Sequence, residues 1–257
     1  MTPFPTTFLK ELRAALDDRA DEKARVTAIS AQPKTPLKIV GVRSSTVKAV
    51  TKDLVAKHRA SLDCETAIAL VEAAVARKTR EEILGALDVL ERFHRDFDAS
   101  LFVRIEKWSP MADDLEVAEA LGQRIAAPVL ALEPSRIGVV KKWAKLRSVG
   151  RKRLAVLAAS GLVTEGRRFA APALELCELL LNEDSPVLVQ AIASLLRDTT
   201  KVDAKAVQDF LFRRSVDGNP DILRAGSENL DAARRAALIA KLEAQAAVSV
   251  PLAAIAR

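Results

Sequence analysis

Apolar residues recur along most of the chain at spacings of three and four, which is the period of an amphipathic helix. The stripes near the start and after Thr79 are the clearest: Phe8, Leu9, Leu12 and Leu16, then Ile83, Leu84, Leu87, Leu90 and Phe93. Glu81 and Glu82 precede the second stripe, as suits the first turn of a helix. No segment alternates strongly between apolar and polar residues, so the pattern predicts helices and no sheet.

The same pattern predicts a helix in most of the remaining segments. One stripe, at 47–55, follows the N-cap candidates Ser44 and Ser45, and another covers 68–75. Further helices are expected at about 98–107, 113–126, 134–146, 150–160, 170–182, 186–198, 202–214, 219–226 and 230–246. Because proline and glycine interrupt helices, breaks are expected at Pro33, Pro36, Pro110, Pro128, Pro134, Gly161 to Gly166, Pro186 and Gly218 to Pro220.

The predicted helices are short, come in pairs and recur every ~35–40 residues. Such a period favours an all-α fold of the α-solenoid class, a curved superhelical stack of HEAT-like helical repeats, as a single domain over residues 1–257. The ends, about 1–30 and 248–257, have little repeat character and are expected to be atypical or loosely packed. The concave face of such a stack offers a long binding groove.

Composition narrows the class of protein. The chain has 257 residues, nine glycines and no tyrosine, which favours helices over an all-β fold. Its two cysteines, Cys64 and Cys177, give no disulfide framework, so a reducing cytoplasm is expected. No run approaches the ~18 apolar residues of a membrane span, and the first residues lack the pattern of a signal peptide. The expectation is a cytoplasmic monomer without membrane contact.

One stretch, residues 141–153, carries charge of a single sign. Seven of its thirteen residues are cations and none is acidic: Lys141, Lys142, Lys145, Arg147, Arg151, Lys152 and Arg153. Most such runs are solvated helix faces, but acidic residues offset basic ones nearly everywhere else in this chain. The helix dipole disfavours cations at a helix start and favours a bound phosphate there. With a net charge of +6, the run predicts contact with a polyanion such as double-stranded DNA.

Three stretches resemble the HEAT-like-repeat DNA alkylation repair glycosylases, within about residues 35–215. They are L-K-I-V-G-V-R-S-S-T-V-K at 37–48, E-K-W-S-P-M-A-D-D-L at 106–115 and K-W-A-K-L-R-S-V-G-R-K-R-L-A at 142–155. The resemblance implies excision of cationic N3- or N7-alkylated purines from DNA. In such a reaction a carboxylate stabilises the developing sugar cation and orients a water, and aromatic faces add attraction for the cation.

The resemblance also implies roles for individual residues. Asp113 matches the catalytic carboxylate, and Arg153 matches the arginine that contacts DNA. Trp143 matches a structural tryptophan ahead of that arginine. Trp108 is the candidate aromatic wall of the catalytic site, and Lys107 beside it is a further candidate DNA contact.

The chain departs from the family pattern at two positions. The first catalytic tryptophan falls at Ser109, one residue after Trp108, and the second falls at Ser194. The assigned residues also have ordinary structural interpretations: Asp113 as an acid in the first turn of the helix at 113–126, and both tryptophans as core residues. The pattern therefore leaves catalytic activity open.

The sequence contains no motif for metal binding, nucleotide binding or serine-hydrolase chemistry. His58 and His94 have no histidine or cysteine at ligand spacing, and no glycine-rich phosphate loop or serine-hydrolase motif occurs. We therefore expect no metal, no cofactor and no bound nucleotide. Three functions remain: a DNA-binding protein that excises alkylated purines, a non-catalytic relative that binds structured DNA, and a helical scaffold for other proteins.

Overall fold

A computed structural model describes residues 4–32 and 35–255, with side chains as far as residue 245. Within these ranges the regular structure is helical, apart from an isolated parallel bridge between Lys38 and Thr79. This confirms the prediction of an all-α, α-solenoid-like fold. The break expected at Pro33 lies outside the described residues.

The chain forms two compact units, Met1–Arg136 and Ile137–Arg257. The first contains α1 (Phe4–Asp17), α2 (Glu22–Ala31), α3 (Ser44–Lys57), α4 (Cys64–Arg77), α5 (Arg80–Glu91), α6 (Leu101–Trp108), α7 (Leu115–Glu119) and α8 (Ala127–Leu132). The second contains α9 (Ile137–Ala144), α10 (Val149–Val163), α11 (Ala170–Leu179), α12 (Pro186–Arg214), α13 (Pro220–Gly226) and α14 (Ala232–Ile255).

Helix α5 lies at the centre of the first unit. Every residue from Arg80 to Leu90 is buried, and α5 packs against α1, α3 and α4. The predicted stripe of α1 faces this core, with Phe8 and Leu12 completely buried. Helix α2 is different, because none of its residues is buried. The first unit is therefore built by packing several helices around one fully enclosed helix.

Neighbouring helices also pack together in the second unit. Helix α10 contacts α9, α11 and α12, and α12 contacts α13. Residues Leu154 to Ser160 are all buried, which places α10 at the centre of this unit. Such nearest-neighbour packing is typical of α-solenoids. That the whole chain is one HEAT-like repeat domain stays a prediction.

The backbone break between the predicted helices at 186–198 and 202–214 lies inside α12. Asp203 has non-helical angles, φ −150° and ψ 77°. Its carboxylate accepts a hydrogen bond from the Ala206 amide at 3.1 Å and another from Nε of Arg167 at 2.8 Å. The bond from Arg167 is the main reason that the pKa of Asp203 is lowered. Asp203 thus starts the second half of α12 in the manner of an N-cap.

Two local predictions, a break at Pro128 and an N-cap at Ser44, were wrong. The break expected at Pro128 does not occur. A π-helical segment, Ala120–Ala126, joins α7 to α8, and Pro128 lies in the first turn of α8. Proline is tolerated there because the amide that it lacks would have no partner within the helix. The break expected at Gly161 to Gly166 occurs within that range, because α10 ends at Val163. Ser44 begins α3, and the N-cap position belongs to Arg43, whose side chain makes no capping bond.

Asp114 fixes the start of α7. Its Oδ1 accepts hydrogen bonds from the amides of Glu116 and Val117 at 3.1 and 3.2 Å, and its Oδ2 accepts one from the Thr35 hydroxyl at 3.0 Å. The side chain is fully buried, and burial raises the pKa of its carboxyl despite these donors. The helix at 113–126 therefore begins two residues later than predicted, with Asp114 as its N-cap.

We predict that Asp114→Ala lowers the free energy of unfolding by about 1–2 kcal/mol, because it removes an N-cap and leaves buried donors unpaired. Asp114→Asn keeps an acceptor oxygen and removes the buried charge, so it should cost less. The pKa of Asp114 is raised in the folded state. The stability that this protonation contributes to the folded protein is therefore fully present below the pKa of the unfolded state, and it is lost as pH rises through the pKa of the folded state.

Urea unfolding at several pH values checks both points. The stability of the wild type relative to Asp114→Asn should fall as pH increases through the acid range. A relative stability that rises with pH would contradict the burial argument. Equal stability of the alanine variant and the wild type would contradict the capping role.

Candidate nucleic-acid interface

The basic run of residues 141–153 spans two helices of the second unit. It begins in the last turn of α9, crosses the connection before α10 and ends in the first turns of α10. The hydroxyl of Ser148 caps α10 by accepting a hydrogen bond from the Arg151 amide at 3.1 Å. The prediction that Arg151, Lys152 and Arg153 lie at a helix start is thereby confirmed.

Neighbouring carboxylates neutralise part of this run. Lys141 forms an ion pair with Glu175 of α11, and Lys152 forms one with Glu183, which follows α11. An acidic partner of this kind offsets the charge of each lysine without removing it from the surface. The run is therefore less positive than its sequence alone indicates.

Three cations of the run are exposed and are not paired in this way. Lys142, Lys145 and Arg147 are exposed, and no carboxylate of the described residues lies within 4.0 Å of them. They follow one another over the end of α9 and the connection to α10. We call these three residues the basic edge. Arg153, by contrast, is half-buried in the first turns of α10.

The residues of the candidate catalytic segment lie in the first unit. Trp108 ends α6 and is 3% exposed, whereas Lys107 is exposed. A short 3-10 helix, Ser109–Asp113, follows and carries the exposed Asp113 at its end. The 3-10 helix thus connects Trp108 directly to Asp113. The other tryptophan, Trp143, is buried in the second unit.

Asp113 and Asp114 are adjacent in sequence but have opposite environments. The first-turn role that the sequence allowed for Asp113 is filled by Asp114, whose carboxylate is buried and caps α7. Asp113 precedes the N-cap and faces solvent. An exposed carboxylate can approach a sugar or a water, which a buried cap cannot do.

The two serines at the family's tryptophan positions make ordinary helix contacts. The Ser109 hydroxyl donates to the Glu106 carbonyl at 2.8 Å, and Ser109 is buried. The Ser194 hydroxyl accepts a hydrogen bond from Nη2 of Arg197 at 3.1 Å, within α12 of the second unit. Each serine is therefore satisfied locally by its own helix or turn.

A second group of cations, which the sequence analysis missed, surrounds a cavity of about 640 Å³ in the first unit. Lys48 and Lys52 lie one turn apart on α3, and Arg92 follows α5. All three are exposed. Arg124 also lines the cavity, but the carboxylates of Asp88 and Glu91 pair with it. The four-residue spacing on α3 was visible in the sequence, whereas the approach of Arg92 depends on tertiary packing.

The described residues contain neither a metal-binding cluster nor a membrane-spanning helix. No group of three or more His, Cys, Asp or Glu side chains in this part of the chain is arranged to hold a metal ion. No helix of the described part is both long enough and apolar enough to cross a membrane.

Comparison with known proteins identifies the family. The model of the family described as "DNA alkylation repair enzyme" matches residues 12–230. A solved structure described as a predicted DNA alkylation repair enzyme from Enterococcus faecalis is similar in fold, with a TM-score of 0.67 at 14% identity. The match covers 83% of this chain and 98% of that one. No curated protein matches the sequence. Because the family model covers most of the chain, this protein belongs to the DNA alkylation repair enzyme family.

Proposed function

We propose that the protein binds double-stranded DNA through the basic edge formed by Lys142, Lys145 and Arg147. The observation that carries this proposal is that three consecutive exposed cations have no carboxylate partner among the described residues. Duplex DNA is a dense array of phosphates, and cations that neutralise them release condensed counterions. Binding of this kind positions a protein on the backbone without reading the sequence of bases.

The ion pairs beside the basic edge are compatible with this role. Largely solvated ion pairs contribute only ~0–1 kcal/mol, so Lys141, whose partner Glu175 is 61% exposed, can exchange that carboxylate for a phosphate at little cost. The side chains of Lys152 and Glu183 are only 18% and 22% exposed, so Lys152 is less available to DNA. In the first unit, the exposed cations Lys48, Lys52 and Arg92 offer further contacts of the same type. Membership of a DNA repair family makes DNA the expected polyanion.

For catalysis, we propose that Asp113 promotes the loss of cationic N3- or N7-alkylpurines. Departure of such a base neutralises its charge, so the enzyme has mainly to stabilise the developing sugar cation and to place a water. An exposed carboxylate can do the first by its charge and the second by accepting a hydrogen bond. In this proposal Arg153 and Lys107 hold phosphates. Trp108 can serve as an aromatic wall only where its buried ring becomes accessible to the DNA.

A second candidate function is non-catalytic binding of structured DNA. It is favoured by the serines at both tryptophan positions of the family pattern, each of which makes a local hydrogen bond. It is also favoured by the burial of both tryptophans of the chain. Such a relative would use the same cations and would release no base.

We predict that reversing the basic edge, with Lys142→Glu, Lys145→Glu and Arg147→Glu together, weakens binding to any duplex by about tenfold or more at moderate salt. The dependence of the logarithm of affinity on the logarithm of salt concentration should become shallower by up to about three, one for each lost phosphate contact. Fluorescence anisotropy with labelled duplexes of unrelated sequence, titrated at several salt concentrations, measures both quantities.

A matched control is available in α12 of the same unit. Lys201, Lys205 and Arg213 are 66%, 79% and 65% exposed, and reversing all three changes the net charge by the same amount. If the control weakens binding as much as the basic-edge variant, binding depends on net charge alone. Unchanged affinity of the basic-edge variant would contradict the proposed interface.

We predict that Asp113→Asn lowers the rate of release of 7-methylguanine from methylated duplex DNA by ~10²–10³-fold, as expected when one electrostatic stabiliser of a transition state is removed. DNA affinity should be unchanged or higher, because a negative charge near phosphates is lost. Chromatography of the released base gives the rate. Asp114→Asn is the matched control, since it changes a neighbouring carboxyl that is buried, and it should retain activity.

Full activity of the Asp113→Asn protein would end the catalytic assignment. No release by the wild type, together with salt-dependent DNA binding, would select the non-catalytic function. If the wild type neither released the base nor bound DNA, the third function expected from the sequence would remain, a helical scaffold for other proteins.

A further inference from the structure

A cavity of about 480 Å³ in the first unit is lined in part by charged and hydroxyl side chains. It lies among α2, the loop before α3, the first residue of α3, the first residue of α5 and Glu116 of α7. The side chains that matter for its chemistry are Arg43, Ser44, Arg80 and Glu116. None of them was singled out as a functional residue from the sequence, and none belongs to the proposed DNA contacts.

Arg80 is a buried cation with unused hydrogen-bond donors. Its side chain is 4% exposed. Nη2 donates to Oε1 of Glu81 at 3.3 Å, but Nε and Nη1 have no hydrogen-bond acceptor among the described residues. Leaving such donors unpaired inside a protein is costly, and native structures rarely do so without a reason. Both nitrogen atoms are covered by neighbouring protein atoms, with Oε1 of Glu116 3.6 Å from Nη1, so an oxyanion in the adjoining cavity would supply the missing acceptors once Glu116 turns away.

The start of α3 adds a second set of unused donors. Arg43 occupies the N-cap position without a side-chain capping bond. The amides of Thr46 and Val47 bond to the Arg43 carbonyl, whereas those of Ser44 and Ser45 have no acceptor among the described residues. Helix α3 is 14 residues long, so its positive dipole end reinforces these amides. An uncapped helix start beside a buried guanidinium is suited to a phosphate group.

Glu81 holds the loop beside the cavity in place. Its carboxylate accepts hydrogen bonds from the amides of Val40 and Gly41, both at 3.0 Å. Gly41 has a positive φ of 95°, and a Cβ there would lie 2.6 Å from Cβ of Arg25 on α2. With the amide of Val42 at 3.5 Å and Nη2 of Arg80 as further donors, the acceptor sites of the Glu81 carboxylate are used, so it does not also serve Nε and Nη1 of Arg80. The carboxylate thus ties the loop before α3 to the start of α5, and both of these segments line the cavity.

Glu116 already places a carboxylate at the mouth of this cavity. It accepts a hydrogen bond from the Ser44 hydroxyl, and its Oε1 lies 3.6 Å from Nη1 of Arg80, which is too far for a hydrogen bond. Its side chain is 40% exposed, so it can turn towards solvent without uncovering the core. The Glu116 carboxylate therefore partly occupies the position of an anion beside Arg80 but makes no hydrogen bond with Nη1.

From these observations we infer that the cavity is a binding site for a phosphate group, for which Glu116 is the internal competitor. With Glu116 turned away, the phosphate oxygens accept from Nε and Nη1 of Arg80 and from the amide of Ser44, which lines the cavity. The volume leaves room for the small group to which the phosphate is attached. Two sources share this chemistry: a small phosphomonoester, and the terminal 5′-phosphate of a DNA strand. The inference does not depend on the basic edge of the second unit.

Isothermal titration with inorganic phosphate, and then with a nucleoside 5′-monophosphate, tests the site. Glu116→Gln should bind phosphate about tenfold more tightly than the wild type, because a like charge close to the ligand is removed. Glu106→Gln, which neutralises an exposed carboxylate of α6, is the matched control and should leave the affinity unchanged. No phosphate binding by Glu116→Gln, or an equal effect of the two variants, would overturn the inference.

Two further variants remove the donors. Arg80→Gln should abolish binding, and Ser44→Pro should weaken it at least tenfold, because proline is accepted at the first position of a helix but has no amide hydrogen. Ser44→Pro keeps the test valid where the buried Arg80 is needed for folding, and circular dichroism verifies both folds. Undiminished phosphate binding by a folded Ser44→Pro protein would overturn the assigned geometry.

The source of the phosphate is resolved by duplexes with and without a 5′-terminal phosphate. Tighter binding of the phosphorylated duplex by the wild type, lost in Ser44→Pro, assigns the site to a DNA terminus. Equal binding of the two duplexes, with retained affinity for the monophosphate, assigns it to a small phosphomonoester. Reversal of the basic edge should weaken binding of both duplexes and leave the titration with phosphate unchanged, so the two proposals fail independently.

Discussion

The first unit is organised by charged side chains buried at the start of α5. Glu82 is 1% exposed and receives a hydrogen bond from Nε of Arg13 at 2.8 Å, which joins α1 to α5. Glu81 is completely buried and receives the amides of the loop before α3. Burying carboxylates is expensive unless each is paired and hydrogen-bonded, so these contacts constrain several segments at once. The position of α1, of the loop and of the phosphate cavity all follow from this one helix start.

The second unit handles charge in a different way. Its basic run is distributed over a helix end and a helix start, and acidic residues from around α11 pair with some of its lysines. What remains uncompensated is a short sequence of exposed cations at the connection. The ion pairs reduce the positive potential of the run, whereas the cations without acidic partners concentrate the remaining positive potential at the connection. The interface thus depends on where carboxylates are absent as much as on where cations are present.

Much of the fold could be predicted from the sequence because helical periodicity is a local signal. The stripe of α1 and the interruption near Asp203 both follow from residues within a few positions of each other. The start of α7 could not be assigned in this way, because Asp113 and Asp114 are chemically identical and only burial distinguishes them. Glu81 was expected in the first turn of a helix, and it lies there. Its true role depends on amides about forty positions earlier in the chain, which no local pattern reveals.

The π-helical segment between α7 and α8 has a consequence for the tolerance of this protein to changes in length. A π turn accommodates one more residue than an α turn, because its hydrogen bonds join residues five positions apart. Removing one residue between Ala120 and Ala126 would restore the ordinary α period and keep the segment helical. Because the π turn already absorbs the extra residue, the segments before and after it would keep nearly the same rotation about the helix axis. The same deletion within an ordinary α-helix would rotate one side by ~100° relative to the other. Glu116 lies before the π-helical segment, and Arg124, the partner of Asp88, lies inside it. The segment is therefore the place where this helix can lose one residue with the least displacement of its neighbours, provided that the deletion spares Arg124.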